Sequence, residues 1–188
     1  MNYEVLGHAA DGPTLTLDWE SFSYAGKFEM SSTGKAVLRD GDILAAAAFN
    51  GDRETPDRAW IRYLTVRSDR RGEGLGPRLA ARVAGTLLNG EYDAVQIAVN
   101  NPIAYRALYK AGFHFTGEET GIAELVLAVP GPQDPATYRA GLRRFEGRDL
   151  PDVHAELLEK WLEDGTPPDR RDDIPLPPSV QSGSNGAR

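Results

Sequence analysis

The stretch that most constrains this chain runs over residues 59–88, which read as a strand, a turn with three glycines and a helix. Residues 59–66 are rich in aromatic and β-branched side chains, which favour a strand. Residues 75–88 then carry a large apolar side chain at every fourth position, which is typical of an amphipathic helix. The sequence therefore predicts that a strand passes into a helix through one short, glycine-rich turn.

The glycines of this turn, Gly72, Gly74 and Gly76, allow the backbone to fold tightly with its N–H groups pointing outward. The helix that follows adds unpaired N–H groups and the positive end of its dipole. Arg70 and Arg71 bring two full positive charges to the same place. Together these features predict a binding site for a phosphate or, better, a pyrophosphate.

Three kinds of phosphate-binding turn have this outline, and their spacings differ. A P-loop requires a lysine directly after its last glycine, but no lysine lies between Lys35 and Lys110. A dinucleotide-binding turn requires a further glycine three residues after Gly76, where this chain has Leu79. The P-loop is therefore excluded, and the dinucleotide turn is a poor match.

The pattern that remains, Arg71-x-x-Gly74-x-Gly76, resembles the Arg/Gln-x-x-Gly-x-Gly/Ala signature of the GNAT superfamily of acyl-CoA-dependent N-acetyltransferases. In that superfamily a second signature follows. It consists of a strand that ends in asparagine, a short helix that carries tyrosine, and then Gly-Phe.

The stretch VQIAVNNPIAYRALYKAGF resembles this second signature. An alternating apolar strand ends at Asn100 and Asn101, and a short helix then carries Tyr109 before Gly112 and Phe113. Two ordered signatures at the proper separation make the resemblance specific.

The resemblance covers roughly residues 36–129 and implies an α+β fold, in which a mixed, mostly antiparallel twisted sheet is flanked by helices. Alternation of apolar and polar residues also predicts a strand around Leu15 and Leu17 and a hairpin over residues 36–50.

The chain changes character after residue 130. Three segments are predicted: a GNAT-like acetyltransferase domain at 1–130, a helical C-terminal extension at 131–165, and a disordered Pro/Gly/Ser-rich tail at 166–188. Within the extension, helices are predicted over residues 135–145 and 150–162, and the second carries Val153, Leu157 and Trp161 on one stripe. This stripe predicts packing on the core, with a homodimer contact as the alternative.

The resemblance implies that acetyl-CoA is the co-substrate and that a primary amine on a small molecule, a peptide N-terminus or a lysine is the acceptor. It also implies where acetyl-CoA binds: pantetheine on the backbone of Leu64, Thr65 and Val66 and on Asn100 or Asn101, and pyrophosphate at Arg71, Gly72, Glu73, Gly74, Leu75 and Gly76. Tyr109 is the predicted general acid, which would protonate the departing thiolate.

The general base is open. Many relatives place a glutamate on the central strand, but residues 60–66 contain none. A water chain, His114, Glu118, Glu119 and the carboxylates of the N-terminal segment are alternatives. If Arg62 faces the acceptor, an acceptor with a carboxylate or phosphate is favoured; the other interpretation is an ion pair on the sheet.

Composition narrows the classes of function. The chain has no cysteine and three scattered histidines, so no metal is expected. Its net charge of −7 argues against general nucleic-acid binding. It has no long apolar run and no signal peptide, so no membrane association and a cytoplasmic location are expected.

Two other classes of function stay open. One is a catalytically inactive CoA-binding regulatory or interaction module, which the missing strand glutamate and the long extension favour. The other is a nucleotide-dependent oxidoreductase, which would bind NAD rather than CoA.

Overall fold

Seven strands form one open sheet in the order β1-β2-β3-β4-β5-β7-β6 in the computed structural model, which describes residues 1–170. The strands are β1 (Asn2–Gly7), β2 (Gly34–Asp40), β3 (Asp42–Gly51), β4 (Arg58–Val66), β5 (Ala94–Val99), β6 (His114–Glu119) and β7 (Leu125–Val129). Within the described residues the α-helices are α1 (Leu75–Leu88), α2 (Pro102–Lys110), α3 (Pro135–Arg143) and α4 (Asp152–Asp164). The α+β fold with a mostly antiparallel sheet is confirmed.

The sheet contains one parallel pair, β4 and β5, because α1 carries the chain back across the sheet between them. This pairing runs from Arg58 opposite Ala94 to Ile61 opposite Ile97 and ends there. On the other side of β4, Ala48 pairs with Tyr63 and the next residue of β3 pairs with Ile61. Arg62 is therefore an extra residue in β4, a β-bulge at the point where β4 leaves β5.

The predicted hairpin over residues 36–50 is confirmed as β2 and β3, and Gly41 takes the left-handed conformation (φ 74°) between them. The predicted strand around Leu15 and Leu17 is wrong. The first strand is β1, which occupies the edge beside β2, and the backbone N–H of Leu15 donates instead to Phe28 O. Leu17 is buried under the sheet from a segment without regular structure.

The extension shares the main core. Tyr138 and Leu142 of α3 and Leu158 of α4 are buried in the same cluster as Leu79 of α1 and the β5 and β7 side chains. The two predicted extension helices are present as α3 and α4. The predicted stripe of α4 is wrong at Val153, which is 62% exposed, because the helix turns Leu158 to the core instead.

Residues 166–170 have no regular secondary structure, but Pro168 among them is buried. The remainder of the predicted disordered tail lies outside the described residues. No helix within residues 1–170 has the length and apolarity needed to cross a bilayer.

Candidate functional site

A cleft opens where β4 and β5 diverge beyond the bulge at Arg62. This inner cleft has a volume of about 340 Å³. Leu64 of β4 and Val99 of β5 line its two sides, and Ala104 and Leu108 of α2 also face it. Because the pairing of β4 with β5 stops at Ile61, the edge of β4 beyond that residue is available to a ligand.

A second cleft lies against the glycine turn, which we define as residues 70–76. This outer cleft has a volume of about 290 Å³ and is lined by the turn, by Val66 and by α2. Gly76, Pro77 and Ala107 line both clefts. The two clefts therefore adjoin at these three residues, and we refer to both clefts together as the groove.

The glycine turn has the conformation that its sequence predicts. Gly72 (φ 85°) and Gly74 (φ 78°) are left-handed, and Gly74 is the N-cap of α1. Gly72 and Glu73 are exposed, and Leu75 is buried below them. The start of α1 thus presents its free N–H groups at the outer cleft, where they favour an anion.

Gly76 has a different importance from the two left-handed glycines. A Cβ built on Gly76 would lie 3.6 Å from Val66 Cγ2 and 4.0 Å from Leu64 Cδ2, which are ordinary contact distances. The fold therefore has room for a Cβ atom at this position. The missing side chain instead leaves room at the junction of the two clefts.

Among residues 1–170, four basic side chains line the outer cleft: Arg70, Arg71, Arg106 and Lys110. Arg70 donates two hydrogen bonds to the Glu73 carboxylate, at 2.6 and 2.7 Å, and this holds the pKa of Glu73 below its usual range. Arg71 donates to Ser23 Oγ at 3.0 Å. The surplus of positive charge makes this cleft suitable for a phosphate-bearing ligand.

Asn100 and Asn101 both line the inner cleft, but their side chains make different hydrogen bonds. Asn101 caps α2, since its Oδ1 accepts from Ala104 N at 2.9 Å. Its Nδ2 donates to Asn100 Oδ1 at 3.1 Å. Asn101 is thus committed to the helix cap and to its neighbour, whereas Asn100 is exposed at the end of β5.

The three predicted residues of β4 lie on different sides of the strand. Leu64 lines the inner cleft and Val66 the outer cleft. The Thr65 side chain is 4% exposed and lines neither. The proposed contact of all three residues with pantetheine involves their backbone and stays a prediction.

Tyr109 lies outside the groove. Its side chain is fully buried, its hydroxyl accepts from Phe115 N at 3.0 Å, and the Tyr105 hydroxyl lies 3.3 Å away. Tyr109 also packs edge-on against Tyr138 of α3. Burial raises the pKa of its phenol. Successive helical residues point about 100° apart, so the neighbour Leu108 faces the inner cleft instead. The acid role of Tyr109 therefore stays a prediction, without support from its position.

The candidate bases are also placed away from the inner cleft. His114 lines a separate depression beside Arg144, and Glu119 accepts from Arg144 at 3.0 Å. Burial lowers the pKa of His114. Glu118 is exposed, and Asp18 of the N-terminal segment lines another depression.

Glu124 is a carboxylate of the inner cleft that no sequence pattern predicted. It directly precedes β7 and follows Ala123, which has a positive φ of 62°. Its Oε2 lies 3.4 Å from the Thr120 hydroxyl. No local pattern marks this glutamate, because its position depends on how β7 inserts between β5 and β6.

Two tyrosines line the inner cleft, Tyr63 of β4 and Tyr24 of the N-terminal segment. Their ring centroids are 6.2 Å apart. Tyr24 has a positive φ of 61°, an uncommon conformation for a residue other than glycine that often marks functional sites. The N-terminal segment therefore contributes to the groove through Tyr24 rather than through its carboxylates.

Arg62 faces the inner cleft, which favours the first of its two interpretations. Its Nε donates to Asn50 Oδ1 at 2.7 Å, and its guanidinium packs over the Trp60 ring at 5.1 Å. Trp60 in turn donates its indole N–H to Asp52 at 2.8 Å. These contacts hold a cation at the bulge.

Residues 1–170 contain no group of three histidine, aspartate or glutamate side chains that could hold a metal ion.

Comparison with known proteins gives a match of residues 8–113 to the model of the acetyltransferase (GNAT) family. No curated protein sequence matches the chain. Similar solved structures include a Bacillus subtilis acetyltransferase in complex with CoA, at 15% identity and TM-score 0.46 over 53% of this chain and 78% of that chain. The structure of YncA from Salmonella typhimurium with acetyl-CoA matches at 15% identity and TM-score 0.45, over 54% of this chain and 69% of that chain. An N-acetyltransferase from Staphylococcus aureus Mu50 matches at 20% identity and TM-score 0.43, over 51% of this chain and 64% of that chain.

Proposed function

Because this chain belongs to the GNAT family of acetyltransferases, we propose that the groove formed by its two adjoining clefts binds acetyl-CoA and that the enzyme transfers the acetyl group to a primary amine. The observation that supports this most is the junction of the two clefts at Gly76. A phosphate-binding turn and an uncovered strand edge share one groove, and acetyl-CoA carries a pyrophosphate and a thioester at the two ends of pantetheine.

The outer cleft binds the pyrophosphate in this proposal. The N–H groups at the start of α1 and the side chains of Arg71 and Lys110 neutralise its charge. Pantetheine then passes Gly76 into the inner cleft. There it pairs with the β4 edge at Leu64 and with Asn100, whose side chain, unlike that of Asn101, caps no helix.

At the inner end, the neutral amine attacks the thioester carbonyl carbon. A C–N bond forms, the C–S bond breaks, and CoA leaves as the thiolate or thiol. The amine loses a proton in the process, and Glu124 is the carboxylate of the inner cleft that can receive it, directly or through water. Tyr24 and Tyr63 place their phenol side chains along the same cleft.

The acceptor in this proposal is a small amine that also carries an anionic group. Arg62 presents its cation at the bulge, and Glu124 provides the negative charge that attracts an ammonium group. Tyr24 and Tyr63 line the same cleft, where their rings can contact the acceptor.

The test is calorimetry with CoA, followed by thiol release from acetyl-CoA across matched pairs of amines that differ in one carboxylate. We expect CoA binding, turnover, and a preference for the carboxylate-bearing member. The variant Arg62→Gln should remove that preference, whereas Lys27→Gln, at the exposed side of the Tyr63 ring, should keep it. Binding of NAD in place of CoA would contradict the proposal.

A CoA-binding module without catalytic activity is the second candidate. One observation favours it. Leu108, not Tyr109, faces the inner cleft, so α2 places no side chain there that could protonate the departing thiolate. Binding of CoA without thiol release from any amine of the panel would support this candidate over the enzyme.

A further inference from the structure

The outer wall of the groove is completed by a residue that lies beyond the range of the family match. Trp161 of α4 lines the outer cleft but not the inner one. The match to the family ends at residue 113. The C-terminal extension thus contributes an aromatic side chain directly to the ligand groove, in addition to the residues that it places in the core.

Trp161 is paired with Arg106 of α2. The Arg106 guanidinium lies 5.0 Å from the centre of the Trp161 ring, and its Nη1 donates to the Tyr138 hydroxyl at 2.7 Å. Arg106 is therefore held by both extension helices at once. Leu158, one turn before Trp161, is buried in the core and fixes this face of α4. The result is a cation stacked over an aromatic ring at the outer end of the groove.

This pair matches the part of acetyl-CoA that the proposed binding mode leaves unassigned. Beyond the pyrophosphate, CoA continues into a phosphorylated adenosine, which has a flat aromatic base. Aromatic side chains and arginine both bind the faces of such bases. We propose that the Trp161–Arg106 pair receives the adenine ring of CoA, an inference that rests on the proposed function. The extension is then part of the cofactor site.

The test compares two ligands and four proteins by calorimetry. CoA contains the adenosine, and 4′-phosphopantetheine lacks it. We expect Trp161→Ala to weaken CoA binding about tenfold, the range typical of one base stacked on an aromatic ring, and to leave 4′-phosphopantetheine binding unchanged. Trp161→Phe should retain most of the CoA affinity. Trp19→Ala is the control, since Trp19 is 78% exposed and lines neither cleft.

Fluorescence gives a second reading that does not require the alanine variant to fold. In the variant Trp19→Phe, CoA should quench the tryptophan emission more strongly than 4′-phosphopantetheine does. Equal CoA affinity in the wild type and Trp161→Ala, equal weakening of both ligands, or equal quenching by both would overturn the adenine site while CoA binding by the wild type stands. Absence of CoA binding by the wild type would overturn the proposed function and this inference together.

Discussion

Gly76 separates the demands of folding from those of binding more sharply than any other glycine of the turn. Its neighbours Gly72 and Gly74 have positive φ, so larger residues there would strain the backbone. At Gly76 an added Cβ meets only ordinary contacts, and a side chain there would point to the junction of the two clefts.

We therefore expect Gly76→Leu to fold and to weaken CoA binding by about tenfold or more, because a bulky side chain blocks the groove. Replacement of a helical glycine should preserve stability or raise it by up to about 1 kcal/mol. The matched control is Gly85→Leu, in the same helix, where an added Cβ has no neighbour within 4 Å. Calorimetry and thermal unfolding measure both effects. Unchanged CoA affinity in Gly76→Leu would contradict the proposed groove.

Tyr109→Phe distinguishes a catalytic phenol from a structural one. The substitution leaves the buried N–H of Phe115 without the acceptor that it has in the wild type. We expect it to lower the free energy of unfolding by about 1–3 kcal/mol, the cost of a buried unsatisfied group. Because the hydroxyl lies outside the groove, kcat should stay within about threefold of the wild type.

Urea denaturation and steady-state thiol release measure the two quantities in Tyr109→Phe. A fall in kcat of about a hundredfold with an unchanged free energy of unfolding would restore the acid role. That result would also require the buried tyrosine cluster of Tyr105, Tyr109 and Tyr138 to rearrange when substrate binds.

Among the helices and strands, the turn from β5 into α2 has two adjacent asparagines with unequal importance. Asn101 satisfies a free N–H at the start of α2, at Ala104. We expect Asn101→Ala to lower the free energy of unfolding by about 1 kcal/mol, and Asn101→Asp, which keeps the capping oxygen, to retain it. Asn100→Ala is the control and should change stability by less than about 0.5 kcal/mol. Wild-type stability of Asn101→Ala would show that the cap is unimportant.

The bulge in β4 is a second feature of the strands that shapes the site. Arg62 is extra to the β3–β4 register, and the β4–β5 pairing ends at the preceding residue, Ile61. A bulge bends its strand and increases the local twist, which separates β4 from β5. The inner cleft is therefore a consequence of how β4 is paired on its two sides.

In the molecule as a whole, the C-terminal extension forms part of the hydrophobic core. Tyr138, Leu142 and Phe145 are fully buried in the cluster that also contains α1 and the central strands. Removal of the extension would expose this apolar surface to water, which is unfavourable by about 25 cal/mol per Å². The extension and the sheet should therefore unfold together.

Leu142→Ala tests this expectation. We expect a loss of about 2–5 kcal/mol in the free energy of unfolding, typical of a buried leucine, and a single transition by every probe. Val153→Ala is the control, because Val153 is 62% exposed, and its effect should stay within about 0.5 kcal/mol. Two separate transitions in denaturant, or equal effects of both variants, would indicate an independent extension.

Local patterns were sufficient for much of this fold. The strand, glycine turn and helix predicted over residues 59–88, the β2–β3 hairpin and both extension helices follow from periodicity and turn residues, which act between near neighbours in the chain. The predicted strand at Leu15 failed for a non-local reason. The backbone N–H of Leu15 donates to the carbonyl oxygen of Phe28, and β1 occupies the edge of the sheet.

The amino-acid order alone was enough to place the glycine turn at the start of α1, because backbone conformation there depends on glycine and on the helix that follows. The three-dimensional packing settled which side chains share the groove. Packing directs Leu108 toward the inner cleft and Tyr109 away from it. It also places Glu124 at the inner cleft and Trp161 at the outer cleft. The direction of a side chain depends on what packs against its element, and those partners come from distant parts of the chain.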